Sequence, residues 1–197
     1  MKEISVLLQK PAVGVKFLQL TPGEYFFSSF KISIYTGLII SSPFIIYQIT
    51  LFILPGLTIK EKQLFLPILI SSILLFFIGI YFSFKILIPA ALHFFINYGY
   101  DIVEPIWSFE QYFNLILILL ISTGFAFQIP IIQVIIGLLE ITSSKDMLNY
   151  WRYILLLSTV ISAILTPSTD PITQILLSTA ILGLYFIGIF ILQFLNK

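Results

Sequence analysis

One carboxylate, Glu61, stands between Lys60 and Lys62 just beyond a Pro55-Gly56 break, with long uncharged runs on both sides. A carboxylate at an aqueous boundary can accept a bidentate pair of hydrogen bonds from a guanidinium, a geometry that the compact charge of a lysine cannot copy. On these residues alone the plainer reading, a solvated turn charge, is favoured. Phe52 and Pro55 lie just ahead of the turn. On these residues alone they read as the interfacial end of a helix. Gln48 lies one turn deeper and is suited to helix–helix glue or to binding. Two other polar residues sit in apolar surroundings. Gln128, two residues before Pro130, either bonds a neighbouring helix or offers a polar contact to a partner helix. As an amide it relays no proton. Asp170, followed by Pro171, reads first as the N-cap of a helix, with any further role secondary.

Other chemistries are missing. There is no cysteine, which removes disulfides, iron–sulfur clusters and thiol catalysis together. The single histidine, His93, cannot supply paired haem ligands or a His-rich metal site. No glycine-rich phosphate loop, nucleophile–base pair or acidic metal cluster is present. The chain is therefore expected not to be an enzyme and to carry no cofactor and no metal. A net charge of +1 gives no argument for nucleic acid.

The elements that hold these residues belong in a bilayer. Of 197 residues, 59% are hydrophobic and 10% charged, against about 25% charged in a soluble domain. Charges punctuate long neutral runs: 28 residues from Ile32 to Ile59, 22 from Gln63 to Phe84, 29 from Gln111 to Leu139, 17 from Tyr153 to Thr169 and 26 from Pro171 to Asn196. Roughly 20 apolar residues cross a hydrocarbon core. The spacing predicts an all-α polytopic membrane protein, one membrane domain with five transmembrane helices, two of them short. The spans fall at about 24–52, 63–88, 109–139, 150–165 and 171–194. Residues 1–20, with Pro11 and Gly14, read as an irregular or short-helical external segment. Thr21-Pro22-Gly23-Glu24 reads as a capping box with proline at the first helical position. Ser108 and Glu110 open the third span. Trp107 and Tyr112 suit one aromatic belt, and Trp151 and Tyr153, beside Arg152, suit the other. Lys31 and Lys85 can snorkel.

Lys60, Lys62, Lys145, Arg152 and Lys197 fall on one side of this scheme, while the opposite loops carry Asp101, Glu104, Glu110 and Asp170. The positive-inside rule then places the Glu61 turn on the inner side, although Lys2, Lys10 and Lys16 fall outside. Lys60 and Lys62 would repel a basic peptide unless they reach lipid phosphates, which an inner surface provides. The composition, rich in Ile, Phe, Leu, Tyr and Lys, suggests an AT-rich organellar genome.

The stretch Ser42 to Leu92, "SPFIIYQITLFILPGLTIKEKQLFLPILISSILLFFIGIYFSFKILIPAAL", resembles TatC, the core integral subunit of the twin-arginine protein translocase. The shared pattern is Ser-Pro and Tyr-Gln in a span, Phe-x-x-Pro-x-Leu, a Glu-Lys loop, and a Leu-Leu-Phe-x-x-Gly span ending in proline. "FAFQIPI" at 125–131 and "LTPSTDPITQ" at 165–174 also fit, so the likeness runs from about residue 17 to 195. It implies a subunit that binds twin-arginine signal peptides of folded precursors and scaffolds partner subunits for transport driven by the proton gradient. Glu61, Phe52, Pro55 and Gln48 would then serve the signal peptide, and Gln128 and Asp170 would serve partners or intramembrane polarity. The implied partners are these signals, small single-span translocase subunits, further copies of the chain and the lipid bilayer. Relatives have six spans with both termini inside. The expectation is that this chain begins in the first external loop, without the first span. Gln128 stands where many relatives carry glutamate, and the register of Asp170 is offset by a longer last external loop. The expected location is the plastid thylakoid membrane, with the bacterial plasma and mitochondrial inner membranes as alternatives. The rival functions are a small-molecule or ion transporter, disfavoured by spans without charge at their centres, and a structural subunit of an organellar membrane complex.

Overall fold

The computed structural model describes residues 2–11, 16–56, 61–98, 106–166 and 170–195. Helix α1, Lys2–Gln9, and strand β1, Lys16–Leu18, precede the long helix α2, Glu24–Ile53. At about 1.5 Å per residue, the 30 residues of α2 outrun a hydrocarbon core. A 3₁₀ turn, Leu54–Gly56, ends it, and a second one, Glu61–Leu64, leads into α3, Phe65–Phe82. A π-turn over Ser83–Leu87 joins α3 to α4, Ile88–Tyr98. Its physical cause is Pro89, which has no N–H to offer a helical carbonyl; the ladder widens just before it, with Ile88 N–H reaching back to Ser83 O. Strand β2, Ile106–Ser108, precedes α5, Phe109–Ala126, α6, Ile129–Leu138, and the short α7, Ser144–Asn149. Helices α8, Trp151–Leu165, and α9, Pro171–Phe194, complete the chain.

Four stretches are long and apolar enough to cross a membrane: Glu24–Gly56, Lys62–Tyr98, Phe109–Leu138 and Pro171–Phe194; Trp151–Leu165 is a shorter apolar helix. The architecture is that of an all-α polytopic membrane protein. The 109–139 stretch, read from sequence as one span, is two helices, because Pro130 cannot donate to the carbonyl of Ala126 and the chain breaks at Phe127-Gln128. One departure from an all-helical chain is a parallel two-stranded ribbon that pairs Lys16 with Ile106 and Leu18 with Ser108.

The helix pairs α6–α9, α8–α9, α2–α5 and α3–α5 form the main interfaces. Close approach is bought with small residues. A Cβ at Gly124 of α5 would stand 2.9 Å from the Phe76 ring of α3, and one at Gly79 of α3 would stand 2.9 Å from Phe127. The end of the bundle that carries α1 and the β1–β2 ribbon is called the sheet end below. The opposite end, with the Pro55-Gly56 break, is the loop end.

Two sequence expectations are corrected at the sheet end. Helix α2 begins at Glu24 rather than Pro22, and only half of the capping box forms: Glu24 Oε2 accepts from Thr21 N–H at 3.2 Å, and the helix has no side-chain N-cap bond. Tyr112 is no belt residue. It is 3% exposed, and its hydroxyl donates to Leu8 O at 2.8 Å, which docks α1 on α5. Lys31 pairs with Glu110 at 2.6 Å.

Candidate functional site

Gln48, Phe52 and Pro55 recur at i, i+4 and i+7 along α2 and its terminal turn, so they share one face. All three are exposed, Phe52 at 86%. Gln48 is thus directed outward rather than placed at a helix–helix contact. This stripe runs to the loop end, where Leu54–Gly56 turns the chain aside. Glu61 opens the next turn; its side chain and residues 57–60, including Lys60, lie outside the described residues. Both flanks of the loop are seated on one apolar cluster. Leu54, Leu64 and Leu139 pack against the core made by Val134, Leu138 and Met147. Gly56 closes on the same place, since a Cβ there would meet Leu139 Cδ2 at 3.3 Å.

Behind α2, on its other face, lies a groove of about 360 Å³ bounded by α2, α3, α5 and α6. Its walls are isoleucine and phenylalanine, and Gln128 sits at the break between α5 and α6. Both ends of the amide bond to one residue of α3: Ser72 Oγ donates to Gln128 Oε1, and Gln128 Nε2 donates to Ser72 O at 3.0 Å. Ser42 and Thr50 also line the groove, but their hydroxyls donate to Ile39 O and Ile46 O within α2, both at 2.7 Å. The groove can therefore offer shape and a little hydrogen bonding, and among the described residues no titratable side chain lines it.

Asp170 is nowhere near Gln128. It caps α9 at the sheet end, where its Oδ2 accepts from Thr173 N–H at 2.9 Å with the residue 1% exposed. The structure therefore groups Gln48, Phe52 and Pro55 beside the Glu61 turn, and leaves Gln128 in the groove and Asp170 in a cap. His93 shares hydrogen bonds with Asn97 one turn along α4, at 2.9 Å. Among the described residues no group of three His, Asp or Glu could hold a metal ion.

Two important residues were missed by sequence reasoning. Ser72, the partner of Gln128, is one of many serines in apolar helices and carries no signal of its own. Glu24 is 2% exposed and accepts four hydrogen bonds: from Leu20 N–H at 2.6 Å, Thr21 N–H at 3.2 Å, Ser108 Oγ at 2.6 Å and Glu110 N–H at 2.8 Å. The capping pattern at Thr21 was a signal for its local half. The half that reaches Ser108 and Glu110 depends on tertiary structure.

Comparison with known proteins brings this geometry into a family. Residues 1–179 match the family described as Sec-independent protein translocase protein (TatC). A TatC-like protein of Gracilaria tenuistipitata var. liui is 68% identical over 197 residues, all of this chain and 83% of the relative. The chloroplastic Sec-independent protein translocase protein TATC of Oryza sativa subsp. japonica is 47% identical over 198 residues, which cover 100% of this chain and 55% of that protein. The crystal structure of the twin-arginine translocase receptor TatC in the detergent DDM superposes with a TM-score of 0.86 at 34% identity, covering 97% of this chain and 87% of that one.

Proposed function

This chain belongs to the TatC family of Sec-independent protein translocases, and from that premise we propose that its loop end receives the arginine pair of a twin-arginine signal peptide. It is a multi-pass subunit of the translocase, at home in the plastid thylakoid membrane. In the proposed orientation the loop end faces the stroma, where the precursors wait. The observation that carries the reading is the exposed stripe Gln48–Phe52–Pro55, which leads directly to the turn that begins with Glu61. Glu61 takes the guanidinium charge, Phe52 and Pro55 give the apolar part of the signal a surface, and Gln48 offers a hydrogen bond deeper in.

The groove behind α2 has a different task in this proposal. It is apolar, it lies within the span, and its one amide is already paired, so it suits the helix of a small single-span translocase subunit. Binding there would exchange the Gln128–Ser72 bonds for bonds to the incomer at little net cost. Asp170 acts as a cap. The subunit binds and positions, with no reaction of its own, and the proton gradient supplies the work of transport.

The test is crosslinking of signal peptides to the membrane-inserted protein. Glu61→Gln keeps shape and polarity and removes the charge. A charge-assisted hydrogen bond is worth about 1.5–3 kcal/mol, and at an exposed turn the low end applies. Crosslinking of an Arg-Arg signal is expected to fall roughly tenfold, with a Lys-Lys control hardly affected. An Arg-Arg signal bound as well by Glu61→Gln as by the parent would reduce the turn to a solvated connection between two spans.

A further inference from the structure

At the sheet end two lysines interrupt apolar segments, and the fold answers one of them. Lys31 of α2 adjoins Ile32, and Lys85 of the π-turn adjoins Phe84; Ile32 and Phe84 share one apolar cluster with Leu8 of α1 and Leu92 of α4. Lys31 is paired with Glu110. Lys85 is exposed, and among the described residues no carboxylate pairs with it. An ammonium beside hydrocarbon is costly until its stem carries it to a counter-charge. On this face the remaining source of negative charge is the bilayer itself.

Beside Lys85 the surface is concave. A groove of about 390 Å³ runs between α1, α2, α3, the π-turn and α5, within the roughly 300–1,000 Å³ typical of ligand sites. Leu7, Phe77, Phe84 and Leu117 line it, and Thr36 and Tyr81 bring the only hydroxyls among the described lining residues. The groove opens outward, since Leu7 is 49% exposed and Tyr81 65%. Tyr81 precedes Lys85 by about one helical turn, so the apolar walls lead toward the ammonium. The roof is firm, because α1 is docked through the bond from Tyr112 to Leu8 O. Glu3 and Lys10 flank Leu7 in a neighbouring hollow of α1 and offset each other in charge. Lys85 therefore gives the rim its net charge.

We propose that this groove and Lys85 form a binding site for an anionic lipid of the bilayer. One acyl chain lies along the apolar walls, and the headgroup phosphate takes the Lys85 ammonium. Charge complementarity selects the occupant: the walls accept any apolar chain, and the rim favours one that ends in an anion. The site lies at the opposite end of the bundle from the Glu61 turn and is independent of the receptor reading.

The test is retention of defined lipids by the full chain. The protein is reconstituted with equal parts of phosphatidylglycerol and phosphatidylcholine bearing the same acyl chains, then extracted in mild detergent, and the bound lipid is counted by native mass spectrometry. Phosphatidylglycerol should be retained in preference to phosphatidylcholine. Lys85→Gln should lower that retention roughly fivefold, the weight of one lysine at an anionic surface, and leave the melting midpoint unchanged because the side chain is exposed. Lys85→Arg, which keeps the charge, should stay within about twofold of the parent. Leu7→Asp puts a carboxylate on the outer wall and should also expel the lipid. Equal retention of the two lipids, or parental retention by Lys85→Gln or Leu7→Asp, would overturn the proposal. Excess inorganic phosphate should not displace the lipid; displacement would reduce the site to an anion contact without a chain and overturn it as well. Benzoylphenylalanine in place of Tyr81 should give a lipid adduct on irradiation in membranes. A polypeptide adduct in its stead would assign the groove to a protein partner, and the lipid site would be wrong.

Discussion

The two ends of the bundle are held in different ways. At the sheet end polar bonds join residues far apart in the chain: Ser108 to Glu24, Tyr112 to Leu8, Lys31 to Glu110, and the ribbon between β1 and β2. At the loop end the described polar bonds are mostly local, such as the capping box of Ser143 with Asp146 on α7, and the longer-range ties are mainly leucine contacts, with Tyr185 donating to Met147 O at 2.8 Å as the polar exception. The aromatic and polar surface there, Phe52 above all, is turned outward. Polar bonds across the chain fix one geometry and tolerate little change, whereas apolar seats tolerate repacking. The difference suggests a frame at one end and a receiving surface at the other, and it can be broken by substitution.

The largest effect is expected at Glu24. Glu24→Ala removes the acceptor of four donors, two of them, on Ser108 and Glu110, more than 80 residues away along the chain. Buried donors without an acceptor are expensive. The melting midpoint in detergent should fall by several degrees, more than for any substitution at the loop end, and the ribbon should exchange its amide hydrogens faster. A midpoint unchanged by Glu24→Ala would show that the sheet end is no more tightly framed than the loop end.

Asp170→Ala tests the same end with a smaller lever. Loss of one N-cap costs about 1 kcal/mol, within a range of roughly 0.5–2. The burial of Asp170, 1% exposed, puts it toward the upper part. For a chain of this size about 1 kcal/mol moves the midpoint by roughly 2–4 °C. Asp170→Asn or Asp170→Ser, which can also cap, should recover most of the loss. If they do not, the residue does more than cap α9.

The frame was less legible in the sequence than the receiving surface, for a physical reason. Hydrophobic runs bounded by charges disclose spans, since a bilayer leaves no alternative to helices. Proline discloses breaks, and Asp170-Pro171 discloses a cap. The stripe Gln48–Phe52–Pro55 follows from helical periodicity alone. What joins Glu24 to Ser108, 84 residues away, has no period and no local motif. The same holds for Tyr112, whose place in an aromatic belt was the natural expectation from its position near a span end. It is buried among Leu8 of α1, Phe17 of β1 and Trp107 of β2, short elements that no span rule detects. The break in α5–α6 was visible as Pro130, but its effect, to turn Gln128 to Ser72 of another helix, was not.

Between the two ends, Gln128 should show an intermediate effect. Gln128→Leu removes two hydrogen bonds to Ser72. Hydrogen bonds between helices in a bilayer average about 0.6 kcal/mol and reach about 1.7. Insertion should therefore be intact and the midpoint slightly lower. Co-purification of a single-span partner should be reduced and not abolished. Ser72→Ala, which removes only the hydroxyl bond, combined with Gln128→Leu should cost little more than Gln128→Leu alone, because both act on one contact. Additive losses would mean that the two side chains act separately, and partner recovery equal to the parent's would remove the groove from the binding scheme.

Phe52→Ala should leave stability where it is. The ring is 86% exposed, and surface changes away from buried features usually stay within about 0.5 kcal/mol. The expected loss is in binding. A fully buried phenylalanine contributes up to about 3 kcal/mol, and a ring that a signal peptide covers on one side contributes about 1, or roughly a fivefold fall in crosslinking. That fall should be the same for Arg-Arg and Lys-Lys signals, because in the proposed scheme the ring meets the apolar part of the peptide and the distinction between the two cations is made by carboxylate. The ratio of Arg-Arg to Lys-Lys crosslinking is thus the quantity to measure. A constant ratio with lower total binding places Phe52 on the receiving surface and separates its task from that of Glu61. A ratio that falls with Phe52→Ala would mean that the ring holds the guanidinium itself, by stacking. The division of the stripe into an apolar rest and an acidic anchor would then be wrong.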